Sequence, residues 1–147
     1  MTEQNQDPSL KLWIVLSRAY RTIAARIEAD IRGYGLNPTE FAVLELLYHK
    51  GEQPIQRLGD RVLLASGSMT YVVDKLESKG LLRRKPCPND RRVTYAVITD
   101  NGRAVMADIF PHHREAIAEV LSGITDSEKT VLIDLLKKLG LSAKHSS

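Results

Sequence analysis

SGSMTYVVDKLESKG, residues 66–80, carries the clearest structural signal in this chain. Its apolar residues recur with the spacing of one helical stripe: Met69, Val72, Val73 and Leu76. Short hydroxyls, one aromatic ring and one cation occupy the other face, and Gly80 follows where a helix ends in a left-handed residue. The stretch therefore predicts an amphipathic helix with one buried face and one small polar face.

The residues after this helix predict a basic β-hairpin. Residues 81–85 and 93–99 have the composition of strands, and the turn-rich run PCPNDRR (86–92) lies between them. Residues 75–92 contain seven Lys or Arg and two acids, so they carry +5 where the whole chain carries +3. These cations could form a solvated face, but their clustering favours a phosphate-binding surface on DNA, the helix in the major groove and the loop in the minor groove.

Four runs within and beside this unit resemble a MarR-family transcriptional regulator. They are ASGSMT (65–70), DKLESKGLLRR (74–84), PNDRR (88–92) and ITDNG (98–102). The resemblance covers nearly the whole chain, because its length and helix order also fit. It implies a dimeric winged-helix repressor or activator, in which small phenolic or aromatic effectors bind between the dimer core and the DNA-binding lobes.

Helix signals outside this unit complete the predicted architecture. Asp7-Pro8 and Asn37-Pro38 are N-terminal caps followed by a first-turn proline, and Thr125 to Glu128 reads as a capping box. A short helix is expected from Pro54, a long one from Thr99 or Asp100 with a kink at Pro111, and a last one ending at Gly140.

We therefore expect a mainly α fold with a small β-hairpin wing. It divides into an N-terminal dimerisation helix (1–35), a winged helix-turn-helix DNA-binding lobe (36–99) and C-terminal dimerisation helices (100–147). The terminal helices are apolar on more than one side, so a second copy is the simplest means of covering them. The residues expected at this dimer interface are Leu132, Leu135, Leu136 and Leu139.

The candidate DNA-binding residues lie on the polar helix face and in the wing. They are Ser66, Ser68, Thr70, Tyr71, Lys75, Arg84, Arg91 and Arg92. A carboxylate beside DNA weakens binding, so Asp90 is expected to structure the wing by orienting an arginine or tying the turn. In the resemblance, the D-x-R pattern of Asp90 and Arg92 places an arginine in the minor groove.

Aromatic residues raise the question of an effector pocket, for which core packing is the alternative explanation. The candidates for ligand binding are Trp13, Tyr20, Phe41, Tyr48, Phe110 and His113. Cys87, between two prolines and beside cations, is either a passive thiol or a redox and electrophile sensor. Neither the histidines nor the carboxylates show metal-ligand spacing, and we expect neither a metal nor another cofactor.

The expected function is a regulator, and an enzyme is not expected because no phosphate loop, nucleophile motif or spaced carboxylate pair stands out. No run of 18 apolar residues is present, the first nine residues are polar, and there is one cysteine. These features indicate a cytoplasmic protein with no membrane partner. The partners expected are a double-stranded, pseudo-palindromic operator, a second copy of the chain and a small aromatic effector. The alternatives are a nonspecific nucleic-acid binder and an enzyme with an unrecognised aromatic site.

Overall fold

The computed structural model describes residues 7–62 and 69–145. Its elements in chain order are α1 (Pro8–Arg32), α2 (Pro38–Lys50), β1 (Gln53–Pro54), α3 (Ile55–Arg61), α4 (Met69–Ser78), β2 (Leu82–Pro86), β3 (Thr94–Ile98), α5 (Asp100–Val120) and α6 (Asp126–His145). The predicted class, mainly helical with a small wing, is confirmed. Each wing strand lies within one residue of its predicted bounds.

The caps predicted from sequence form as hydrogen-bonded groups. Asn37 and Glu40 make a reciprocal capping box at the start of α2, with Glu40 N–H donating to Asn37 at 2.8 Å and Asn37 N–H to Glu40 at 2.9 Å. Thr125 and Glu128 make the same pair before α6. Thr99 caps α5 by accepting from Gly102 N–H.

The wing is a three-stranded antiparallel sheet in the order β1-β3-β2, one strand more than the predicted hairpin. The extra strand is only two residues long and pairs Gln53 with Ala96 and Pro54 with Tyr95. No periodic pattern can be read from two residues, one of them proline, so this strand could not be predicted. Its consequence is that α3 starts directly from the edge of the sheet.

A contiguous apolar core fills the space between α2, α3, α4, the sheet and α5. Its fully buried side chains include Leu44, Leu47, Leu58, Leu76 and Met106. Gly102 brings the first turn of α5 against the wing, because a Cβ there would collide with the Leu81 carbonyl and the Ile98 side chain. The core of the lobe is therefore completed within one chain, by the start of α5.

The terminal helices are covered to a much smaller degree. Ile31 alone among the residues of α1 is buried, and α6 buries none of its described residues. The prediction that α6 ends at Gly140 is wrong, because the helix continues to His145. Positive-φ glycines occur at Gly35, Gly51 and Gly80 but not at Gly140, which stays helical at a cost of about 1 kcal/mol relative to alanine.

Helix α5 continues as one element through Pro111, so the bend expected there stays a prediction. No helix in the described ranges 7–62 and 69–145 is long and apolar enough to cross a membrane.

Candidate nucleic-acid interface

Helix α4 has the two faces that its sequence predicts. Val72, Val73 and Leu76 are buried in the lobe. Thr70, Tyr71 and Lys75 are exposed, and the Lys75 ammonium lies 5.8 Å from the centroid of the Tyr71 ring. The Tyr71 and Lys75 side chains form a polar and aromatic surface that no other described element covers. Ser66 and Ser68, also predicted to contact DNA, lie outside the described residues.

At the wing loop, Asp90 contacts Arg92 through both the backbone and the side chain. Arg92 N–H donates to Asp90 Oδ1 at 3.0 Å, and its guanidinium donates to the two carboxylate oxygens at 3.2 and 3.3 Å. Hydrogen bonds from the Arg92 side chain and backbone lower the pKa of the Asp90 carboxyl, so it stays ionised at neutral pH. The Arg92 side chain is nevertheless 89% exposed, which leaves it able to reach a phosphate or a groove.

Arg84, predicted as a DNA contact, occupies a different environment. Its guanidinium donates to Asp74 and to Glu77, in each case at 2.6 Å. Hydrogen bonding to Asp74, with a further contribution from Glu77, raises the pKa of Arg84 above its ordinary value. Both acids lie on α4 and Arg84 lies on β2. The structure thus gives Arg84 a tethering contact between wing and helix, and leaves less of its charge for DNA.

The basic segment 75–92 is less positive in three dimensions than in sequence. Lys79 pairs with Glu40, Lys85 with Glu52, and Arg84 with Asp74 as well as Glu77. Of these four acids, Glu77 lies inside the segment and is already counted. Glu40, Glu52 and Asp74 lie outside it, and they reduce its local charge from +5 to +2. Counting charges along the sequence missed this because two of the acids are more than 30 residues away from their lysines.

Lys75, Arg83 and Arg91 form no ion pair within the part of the chain that the structure describes. Arg91, another predicted DNA contact, is exposed beside Arg92 in the wing loop. The cations free of acidic partners thus include one on the exposed face of α4 and one at the wing loop. Together with the exposed Arg92, they concentrate positive charge at the places where a duplex would approach.

The aromatic residues predicted to line one pocket fall into three separate groups. Phe41 and His113 are buried against each other, with ring centroids 4.5 Å apart. Tyr48 and Phe110 flank the His49 ring at 5.1 and 4.8 Å. Trp13 and Tyr20 are 67% and 65% exposed and line an open groove along α1.

His113 joins α5 to α1 through a polar cluster that sequence reasoning missed. Its Nδ1 lies 3.0 Å from Asp30 Oδ2, and the Tyr34 hydroxyl donates to Asp30 Oδ1 at 3.0 Å. Burial, followed by the hydrogen bond to Asp30, raises the pKa of Tyr34 to about 12. The only signal available was the position of His113 four residues after buried Ile109, on the same face of α5.

Cys87 is half-buried in the wing, and its backbone N–H donates to the Val93 carbonyl at 3.0 Å. Within residues 7–62 and 69–145, no three or more His, Cys, Asp or Glu lie close enough together to hold a metal ion.

The leucines predicted at a dimer interface, Leu132, Leu135, Leu136 and Leu139, are 41–57% exposed.

Comparison with known proteins identifies this architecture. A model described as MarR family matches residues 36–94, from the start of the lobe to the first residue of β3. The HTH-type transcriptional regulator MhqR of Bacillus subtilis is 58% identical over 139 residues, which are 95% of this chain and 96% of that relative. The chain belongs to the MarR family.

Two solved MarR-type structures share the fold at low sequence identity. Sco3205 of Streptomyces coelicolor, in complex with DNA, has a TM-score of 0.82 at 20% identity, covering 94% of this chain and 89% of that one. BpsR of Bordetella bronchiseptica, whose DNA binding is regulated by 6-hydroxynicotinic acid, has a TM-score of 0.78 at 23% identity, covering 91% and 96%. This MarR-family chain is thus a transcriptional regulator with a winged-helix fold.

Proposed function

We propose that this MarR-family chain is a cytoplasmic repressor that binds a pseudo-palindromic DNA operator as a homodimer. In this proposal the exposed face of α4 enters the major groove and Arg92 enters the adjacent minor groove. The observation that carries the proposal is the wing: an arginine 89% exposed whose position is fixed by the carboxylate of Asp90. A mere patch of cations would not need that carboxylate beside it.

The second half of the proposal, a homodimer, rests on α6 and the start of α1. Helix α6 leaves Leu132, Leu135, Leu136 and Leu139 exposed at one helical spacing. Trp13 and its neighbours Leu10 and Ile14 on α1 are exposed too. Apolar side chains in such numbers favour burial against a second copy, which would bring residues 1–35 and 100–147 together and present two lobes to DNA.

We further propose that a small aromatic or phenolic effector releases the operator. The support is the position of the Phe41–His113 and His49–Phe110 ring pairs, which lie on α2 and α5 where the lobe joins the terminal helices. BpsR provides a precedent for a hydroxylated aromatic acid that regulates DNA binding in this fold. A ligand inserted at this junction would change the angle between lobe and terminal helices, and with it the spacing of the two lobes.

Selection of bound fragments from random duplex DNA at a fixed salt concentration tests the first part. We expect enrichment of an inverted repeat whose half-sites are about one helical turn apart, bound by a species that sediments as a dimer. Equal affinity for the selected duplex and for shuffled DNA would identify a nonspecific binder instead. Titrating the complex with a panel of phenols and hydroxylated aromatic acids then tests release, with non-aromatic acids as the control.

A further inference from the structure

We propose that Gln56 is a positioning residue for DNA binding, because it holds the wing arginine in place from the first turn of α3. The Gln56 side-chain Nε2 donates to the Arg92 backbone carbonyl at 2.8 Å across 36 residues of sequence. A carbonyl can only accept, so the amide nitrogen must face it. This inference rests on the proposed DNA-binding function of Arg92.

With this contact, both backbone polar groups of Arg92 are held by side chains from two different places in the fold. Asp90 accepts from its N–H at 3.0 Å, and Gln56 donates to its C=O at 2.8 Å. The Arg92 side chain, by contrast, is 89% exposed, and Asp90 is its one ion-pair partner within the described residues. A backbone that is already fixed before binding lowers the entropic cost of placing an arginine in a groove, and the exposed side chain can still reach that groove.

The unpredicted strand β1 explains why Gln56 lies at this point. Gln53 and Pro54 pair with Ala96 and Tyr95 of β3, and α3 begins with the next residue. Gln56 is therefore two residues beyond the sheet edge, on the side of β3 that precedes Thr94. The same contact links the first helix of the helix-turn-helix to the wing, so the wing cannot swing away without breaking it.

Gln56 is exposed, and the one side-chain hydrogen bond that the structure shows for it is to this distant carbonyl. The side chain of Gln53, three residues earlier, makes one hydrogen bond that the structure shows, a local one of 3.5 Å to the Gly51 carbonyl. The two glutamines are thus a matched pair: one reaches the wing loop and the other does not. Gln56→Met removes the donor with little change of length, and Gln53→Met is the control.

The test measures affinity for a duplex that the parent protein has selected from random sequence. Gln56→Met should weaken binding by about two- to tenfold, the factor expected for one lost hydrogen bond. Gln56→Glu should weaken it at least as much, because a carboxylate cannot donate and repels both the carbonyl and DNA. Gln53→Met should bind like the parent, and all three variants should keep the parental circular dichroism, which shows that the fold is intact.

Combining Gln56→Met with Arg92→Ala separates positioning from direct contact. Alanine keeps the backbone carbonyl but has no guanidinium to position, so Gln56→Met should then change affinity by less than about twofold. An undiminished effect in the Arg92→Ala background would show that Gln56 acts on DNA directly or through the fold, and would overturn the inference. Unchanged binding by Gln56→Met, with a loss in Arg92→Ala, would overturn it too while leaving the proposed function intact. Failure of the parent to prefer any duplex would instead overturn the proposed function.

Discussion

The winged lobe and the terminal helices use similar apolar residues in opposite ways. In the lobe, Leu44, Leu47, Leu58 and Leu76 are completely buried within one chain. In α6, Leu132, Leu135, Leu136 and Leu139 are each more than 40% exposed. Burial of a leucine contributes roughly 1.5–3 kcal/mol to stability. The lobe leucines make this contribution within one chain, and the exposed leucines of α6 do not. The difference supports the proposal that a second copy covers α6.

The largest effect should come from disrupting the exposed leucine surface of α6. Introducing Leu135→Glu together with Leu139→Glu places two charges where we propose that the second copy packs. We expect a monomer in sedimentation and an operator affinity lower by roughly 10²–10⁴-fold, because two half-sites are no longer bound by one linked pair. The lobe should stay folded, as measured by circular dichroism, since none of these leucines belongs to its core.

Lys137→Glu is the control for this variant, because it adds a negative charge to α6 on the side away from the leucine stripe. It should leave the dimer intact. A double variant that still sediments as a dimer would show that α6 does not form the interface, and the contrast between the two regions would lose its functional meaning.

The next largest effect should come from the wing and leave assembly unchanged. Arg92→Ala should weaken operator binding by about 1–3 kcal/mol and make the salt dependence shallower by about one phosphate equivalent. Asp90→Ala should weaken binding too, although it removes a negative charge, because the Arg92 backbone and guanidinium lose their partner. The measurement is a salt titration of duplex binding alongside sedimentation.

Simple charge counting predicts that Asp90→Ala binds more tightly, so tighter binding would reduce the wing to a patch of cations. The lowered pKa of Asp90 sets the pH window for this experiment. A carboxyl whose pKa is depressed in the folded state contributes its contact above the ordinary carboxyl pKa and loses it as the pH falls through the depressed value. The difference between Asp90→Ala and the parent should therefore be constant around neutral pH and shrink only in acid.

A smaller effect should distinguish buried from exposed ion pairs inside the lobe. The Glu40 carboxylate is 2% exposed and pairs with Lys79, whereas Glu52 and Lys85 are both 44% exposed. Lys79→Met should lower the free energy of unfolding by about 1–3 kcal/mol, because it removes the cation that pairs with a buried carboxylate and leaves it with the Asn37 N–H. Lys85→Met should cost less than about 1 kcal/mol.

Adding Glu40→Gln to Lys79→Met should recover part of that loss, since glutamine keeps the cap and removes the unpaired charge. Denaturant titration of the two single variants and the double variant provides the measurement. Equal costs for Lys79→Met and Lys85→Met would mean that burial of Glu40 does not decide the strength of its pair.

Local signals were enough to predict most of the fold, whereas contacts between distant residues were not predictable. The caps at Asn37 and Thr125 depend on side chains three residues apart, so they can be read directly from the sequence. The Glu40–Lys79 pair spans 39 residues, and no sequence pattern links its members. The prediction that α6 ends at Gly140 is wrong for a related reason, because a glycine alone does not show whether a helix stops or continues.

The candidate site divides in the same way. Asp90 and Arg92 are two residues apart in one loop, so their contact could be anticipated from charge and spacing. Arg84 could not be told apart from its basic neighbours, because its tether depends on how β2 lies against α4. His113 was grouped with pocket aromatics, since nothing in the sequence connects it to Asp30, 83 residues earlier.

The smallest predicted effect compares a tyrosine packed against the apolar core, Tyr34, with an exposed one, Tyr20. Tyr34 donates to Asp30 next to His113, whereas Tyr20 is 65% exposed on α1. Tyr34→Phe should lower the free energy of unfolding by about 0.5–1 kcal/mol at neutral pH, and Tyr20→Phe should not change the stability of the lobe. The raised pKa of Tyr34 provides a second measurement that depends on the same hydrogen bond.

A phenol whose pKa is raised to about 12 in the folded state contributes its stability below the ordinary value of 10.0 and loses it as the pH rises towards 12. The parent and Tyr20→Phe should therefore both lose stability across this window, and Tyr34→Phe should lose less. A titration followed by phenolate absorbance should lack its latest component in Tyr34→Phe alone. If Tyr34→Phe keeps that component, the latest-titrating phenol belongs to another tyrosine, and the hydrogen bond to Asp30 does not hold the Tyr34 hydroxyl.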